Sequence, residues 1–225
     1  MLLCDIPTGQ EGRPSKSLTL DQADALLVAA EDTPMQAYIV VSLLTGARTE
    51  ELRPLTWPHV SLASIPPFIE VWHSVRAKGE TKTLKSRRSL ELPQRCVEVL
   101  RLHHDRQTDI RKAAGERWHD NDLVFASAAG TQLDAANVRR AFRKVAAAAG
   151  LDASAWTPRE LRHSFVSLLS DGGVPIEQIA RLVGHSSTST TERVYRHQIR
   201  PVVQGGAEVM DRLFDLPRRL PGEVS

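Results

Sequence analysis

The stretch Trp156–Phe165, "WTPRELRHSF", puts Arg159, Arg162 and His163 beside leucine and phenylalanine. Thr157-Pro158 reads as a helix N-cap followed by proline at the first helical position, where its missing N–H is no loss. The three basic residues then fall within the first two turns of an apolar-patterned helix. Cations there oppose the helix dipole, a local conflict expected where function overrides stability. Helix-start N–H groups together with guanidinium forks suit a phosphate. His163, next to an arginine and ahead of an apolar stripe, suits a hydrogen-bonded structural histidine as readily as a reactive one.

Downstream, "IARLVGHSSTSTTERVYRH" ends one helix at Val183-Gly184, presents His185 in the turn, and caps a short next helix at Ser189–Glu192 that carries Tyr195. A lone tyrosine is usually a packing residue; of the chain's two, Tyr38 and Tyr195, the second is flanked by polar and charged residues, which favours the nucleophile reading. Upstream, "LTGARTEEL" places Arg48 just past a glycine helix stop, with Glu51 three residues on and able to share its face. An ordinary helix-start ion pair has the same spacing. In "TKTLKSRRSLELP", Lys82, Lys85, Arg87 and Arg88 lie beside or inside a hairpin, an arrangement that also suits a solvated edge strand protected by lysines.

The remaining elements frame these motifs. Residues 1–17 read as a linker, and order begins at Thr19, where "TLDQ" forms a capping box of Thr19 with Gln22. A helix is predicted from Met35 to Thr45 and is stopped by Gly46. Between Phe68 and Leu92 the period changes to two, which predicts a small antiparallel sheet of two or three strands. From Val97 onward the pattern is helical again, interrupted by a polar loop near "AAGERWHDND". In "LDAANVRRAFRKVAAAAG", Val138, Phe142 and Val145 share one face, with Arg139, Arg140, Arg143 and Lys144 largely off it. The predicted fold is therefore mainly α with a small antiparallel β-sheet insert (α+β).

Composition sets the outer bounds. A chain of 225 residues with 41% hydrophobic content can bury one substantial core. A net charge of +2 and a sequence pI near 8.7 permit a polyanionic partner without demanding one. Cys4 and Cys96 are far apart, and neither a secretory pattern nor a run of about 18 apolar residues occurs. A reduced, cytoplasmic protein with no membrane partner is expected. There is no P-loop, and the His/Cys spacing fits no zinc template, so neither cofactor nor metal is expected.

Taken in order, "TGARTEEL", "TKTLKSRR", "TPRELRHSF" and "LVGHSSTSTTERVY" resemble the catalytic domain of the tyrosine recombinases, the phage integrase family, over about Leu18 to His197. The resemblance implies the tyrosine recombinase catalytic-domain fold over residues 18–200. It also implies a tail, residues 201–225, that docks on a neighbouring protomer; the alternative is that its stripe Val209, Met210, Leu213 and Phe214 forms a helix packed on its own domain. Arg48, Arg162 and His185 would surround a scissile phosphate, with Lys82 reaching it from the hairpin and Glu51 supporting the arginine. Tyr195 would attack, giving a 3′-phosphotyrosyl link that a second 5′-hydroxyl reverses. His163 would support the site, and Lys85, Arg87, Arg139, Arg140, Arg143 and Lys144 would contact DNA. Arg159 stands where most members carry histidine, so the acid/base role often assigned there does not carry over; Arg159 would serve instead as a fixed cationic donor.

The implied partner is double-stranded DNA, bound as a homo-oligomer, a tetramer on DNA that is monomeric when free. Because only a short linker precedes the motifs, the chain reads as a fragment or truncated integrase. Two rival activities stay open at this level: type IB topoisomerase-like relaxation, and a truncated, non-catalytic DNA-binding module.

Overall fold

The computed structural model describes residues 16–71, 88–184 and 212–214. Its core is organised around a helix with no charged residue, α2 (Gln36–Thr45), of which nearly every side chain is buried. A helix that is apolar on all sides must be enclosed, and α2 packs against α1 (Leu20–Ala30), the long α4 (Gln94–Ala114) and α6 (Pro158–Asp171). Among the described residues the other named α-helices are a single turn, α3 (Thr49–Leu52), then α5 (Ala135–Ala148), which lies on α1, and α7 (Ile176–Val183), which lies on α6.

The local signals act where the sequence places them. Thr19 and Gln22 cap α1 reciprocally, hydroxyl to backbone N–H and amide to backbone N–H. α6 starts at Pro158 with Thr157 as its N-cap, and Glu160, a residue absent from the sequence reading, accepts from the Thr157 N–H at 2.9 Å. The entry of the chain is tied to this helix, because the buried Leu18 donates its N–H to the Ser164 hydroxyl at 2.9 Å.

Three strands form an antiparallel sheet in the order β1 (Val60–Ser61), β2 (Phe68–Val71), β3 (Arg88–Glu91). The sheet was expected between Phe68 and Leu92, so its first strand lies upstream of that range; two residues are too few to show a period of two. In the β2–β3 register Ile69 faces Leu90 and Val71 faces Arg88. Ile69, Val71 and Leu90 are buried, so the face they share turns toward the core. Arg88 has the parity of Leu90, and its position on that inward side matters below. The helices also begin slightly off their expected starts: α2 at Gln36 with Met35 outside it, and α4 at Gln94 rather than Val97.

Leu213 and Phe214, in a helical turn, pack against this same core.

Candidate functional site

Two helices end on glycines in the left-handed region, α2 at Gly46 (φ 66°) and α7 at Gly184 (φ 63°), where residues with a Cβ are strained. At Gly46 the constraint is also steric: a Cβ would stand 2.4 Å from Cδ1 of Phe165 on α6. Close approach of α2 to α6 therefore requires glycine. It leaves the Gly46 carbonyl facing Arg162, whose Nη1 donates to it at 2.8 Å. The other terminal nitrogen, Nη2, donates to the Val183 carbonyl at the end of α7. Arg162, only 8% exposed, thus joins the C-terminal ends of two helices, where unsatisfied carbonyls and the negative pole of the dipole favour a cation. The conflict read at the start of α6 is resolved by its neighbours rather than by its own helix.

Beside it, Glu51 is buried at 3% exposure and holds two guanidinium groups. Arg48 precedes α3 in an extended conformation; its backbone N–H donates to Glu51 Oε2 and its Nη1 to Oε1, both at 2.8 Å. From the sheet, Arg88 donates Nη1 to Oε1 at 3.0 Å and Nη2 to Oε2 at 2.9 Å, a bidentate fork. Its Nε donates to the Leu182 carbonyl at 2.9 Å. Burial alone would push the Glu51 carboxyl up; the Arg88 guanidinium, followed by Arg48, outweighs it and lowers the pKa to about 2. Glu51 is therefore a fixed anion, and Arg48, with about a third of its side chain exposed, is the guanidinium it presents toward solvent.

Arg159 lies exposed on the first turn of α6, and His163 is half-buried one turn further on. Burial, and then the charge of Arg159, lower the His163 pKa, so the imidazole is neutral at pH 7. On α5, Val138, Phe142 and Val145 are buried as expected, and Arg139, Arg140 and Lys144 are exposed. Arg143 departs from expectation: it is half-buried and its Nε is enclosed without a hydrogen-bond partner among the described residues. Lys82, Lys85, Arg87, His185 and Tyr195 lie outside the described residues.

The structure thus brings together Arg48, Glu51 and Arg162, with His163 and Arg159 on the same helix as Arg162, and keeps the α5 cations on a separate helix. Sequence reasoning placed Arg88 in the basic cluster of the hairpin but gave it no role, naming Arg87 among the DNA contacts. The signal was available: in "RRSLELP" Arg88 shares its strand face with Leu90 and Leu92, and an inward-facing arginine needs a carboxylate.

The profile of the phage integrase family matches residues 16–200. An integrase from Streptomyces ambofaciens is 63% identical over 220 residues, covering 94% of this chain and 57% of that protein. A XerC-like tyrosine recombinase from Caldanaerobacter subterraneus subsp. tengcongensis is 26% identical, over 80% of this chain and 50% of its own length. The chain therefore spans about half the length of these relatives.

Among solved structures, XerA recombinase superposes with a TM-score of 0.67 at 27% identity, over 95% of this chain and 68% of that one. The Tn1549 transposon integrase, solved in complex with transposon right end DNA, gives 0.68 at 21% identity, over 84% and 64%, and shares the fold. A profile covering most of the sequence, together with a core of the same fold, shows that the chain belongs to the phage integrase family.

Proposed function

We propose that this chain is the catalytic domain of a site-specific DNA recombinase that cleaves and rejoins strands through a covalent tyrosine link. The observation that carries the reading is the pair Arg48 and Arg162, each held in place by buried acceptors before any substrate arrives. A phosphodiester gathers charge on its non-bridging oxygens as it becomes pentacoordinate, and permanently charged, pre-positioned donors stabilise that charge at no cost of reorganisation. Glu51 holds Arg48; the ends of α2 and α7 hold Arg162.

In this reading Tyr195 attacks the phosphorus, a phosphotyrosyl bond forms at the 3′ side, and the bond to the 5′-oxygen breaks. Lys82 gives that oxygen its proton, and His185 donates a hydrogen bond to a non-bridging oxygen. A 5′-hydroxyl of another strand reverses the step, so the phosphodiester energy is conserved. Tyr38 is unsuited to the nucleophile's role: it is 1% exposed, packed edge-on to Phe125 at 5.1 Å between ring centroids, and burial pushes its phenol pKa up. With two tyrosines in the chain, that leaves Tyr195. Arg159, as a permanent cation, cannot take the phenol proton; with Arg162 it lowers the phenol's pKa so that water suffices.

The partner is double-stranded DNA; the Tn1549 integrase, which shares this fold, was solved in complex with transposon right end DNA. Residues 18–200 form the catalytic domain, preceded by a linker. Residues 201–225 form a tail whose Leu213 and Phe214 pack on the chain's own core, and whose other residues dock on a neighbouring protomer in a tetramer on DNA. Lys85, Arg87 and the α5 cations supply phosphate contacts that raise affinity without reading sequence.

The test is incubation with a nicked duplex whose cleaved end diffuses away. A covalent protein–DNA adduct from the wild-type chain, absent from Tyr195→Phe, supports the proposal. An adduct that survives Tyr195→Phe assigns another nucleophile, and DNA binding without adduct leaves a binding module. Relaxation of supercoiled plasmid without recombinant products assigns the topoisomerase activity.

A further inference from the structure

The cluster contains one guanidinium that the mechanism above does not use. Arg88 leaves the sheet on its inward side, is about 10% exposed, and makes a bidentate contact with Glu51. The same side chain donates Nε to the Leu182 carbonyl and lies over Gly184, where a Cβ would come within 3.0 Å of its Nη1. It therefore touches both the carboxylate that fixes Arg48 and the end of α7 that fixes Arg162. Glu51 belongs to α3, and Leu182 to a helix more than a hundred residues later.

We propose that Arg88 is a positioning residue, which sets the spacing between the Arg48 guanidinium and the α7 terminus and so holds the two transition-state donors in register. Its planar fork suits the task in a way lysine does not, because three N–H vectors in one plane reach three acceptors on two elements. Gly184 follows from the same demand. It supplies the left-handed turn and clears the space in which the guanidinium lies.

The proposal rests on the recombinase reading for its consequence in rate, and on the free protein for its geometry, so the two can fail separately. The variants are Arg88→Lys, Arg88→Met and Glu51→Gln in the full chain. The first measurement is amide hydrogen exchange of the DNA-free protein, followed in peptides covering 46–52 and 178–184. The second is single-turnover adduct formation on nicked duplex at saturating protein, alongside the salt dependence of the binding constant.

Arg88→Lys should speed exchange in both peptides by tenfold or more, and leave peptides from α1 and α5 unchanged. It should slow adduct formation by about 10–100-fold, the usual cost of losing a group that orients another, with the salt slope of binding unaltered. Glu51→Gln should loosen 46–52 more than 178–184, since Arg88 keeps its Nε contact. Unchanged exchange in either peptide with Arg88→Lys overturns the proposal, as does faster exchange throughout the chain, which marks a general structural role. In Arg88→Met, which removes the charge, a salt slope reduced by about one marks a direct phosphate contact and also overturns it, as does an unchanged rate of Arg88→Lys at saturating protein. If the wild-type chain forms no adduct, the recombinase reading fails by itself, and the exchange result alone decides the positioning role.

Discussion

The arginines of the Glu51 cluster and those of α5 carry the same group in opposite circumstances. Arg162 is buried and Arg88 only about 10% exposed, each guanidinium bonded to carbonyls or a carboxylate; Arg139 and Arg140 extend from the polar face of α5 into solvent. A buried guanidinium is held in one geometry and is costly to disturb. An exposed one moves freely and contributes little to folding. The contrast assigns stability and transition-state geometry to the first set, and electrostatic affinity to the second.

The largest expected effect falls on the buried side. Glu51→Ala leaves Arg88 enclosed without its counter-ion and should lower stability by about 3–5 kcal/mol in urea or thermal unfolding. A loss below about 1 kcal/mol would put the pair in the class of surface ion pairs and remove the contrast. Gly46→Ala comes next. Its Cβ meets Phe165 at 2.4 Å in a left-handed conformation, so about 2–4 kcal/mol should be lost from overpacking and backbone strain together.

Stability should also depend on pH through Glu51. Because the folded carboxyl is held at about 2, below its ordinary value of 4.5, its contribution is complete above about pH 4.5. It is lost as pH falls toward 2, at up to roughly 1.4 kcal/mol per pH unit. Arg88→Met should flatten this part of the unfolding curve; an unaltered slope would show that Arg48 alone lowers the carboxyl. Smallest of all, Arg139→Gln, Arg140→Gln and Lys144→Gln should each leave stability within about 0.5 kcal/mol. Each that contacts a phosphate should reduce the salt slope of DNA binding by about one.

The same contrast describes what could be read from the sequence. The α5 face was legible in full except for Arg143, because one helical period separates Val138, Phe142 and Val145 from the cations. The Thr19 cap, the stop at Gly46 and the Thr157-Pro158 helix start were legible for the same reason: each is settled within a few residues. Arg48 with Glu51 is also local.

What could not be read spans the fold. Arg88 meets Glu51 across 37 positions, and Arg162 meets the Gly46 carbonyl across 116. Strand parity hinted at the first of these; the second depends on how closely α2 approaches α6, which Gly46 decides only once Phe165 is opposite it. The first strand of the sheet was invisible because two residues cannot show a period.

The division of labour between the two sets is tested most directly by the single-turnover rate of adduct formation at saturating protein, measured for Arg162→Lys and for the triple α5 variant Arg139→Gln, Arg140→Gln, Lys144→Gln. Saturation removes differences in affinity, so the rate reports the chemical step alone. Arg162→Lys should lose about 10²–10³-fold, as when one pre-positioned transition-state donor is removed, while the α5 variant should stay within about threefold of wild type. An Arg162→Lys rate close to wild type, or an α5 rate that falls as far, would contradict the assignment of catalysis to the buried guanidinium groups.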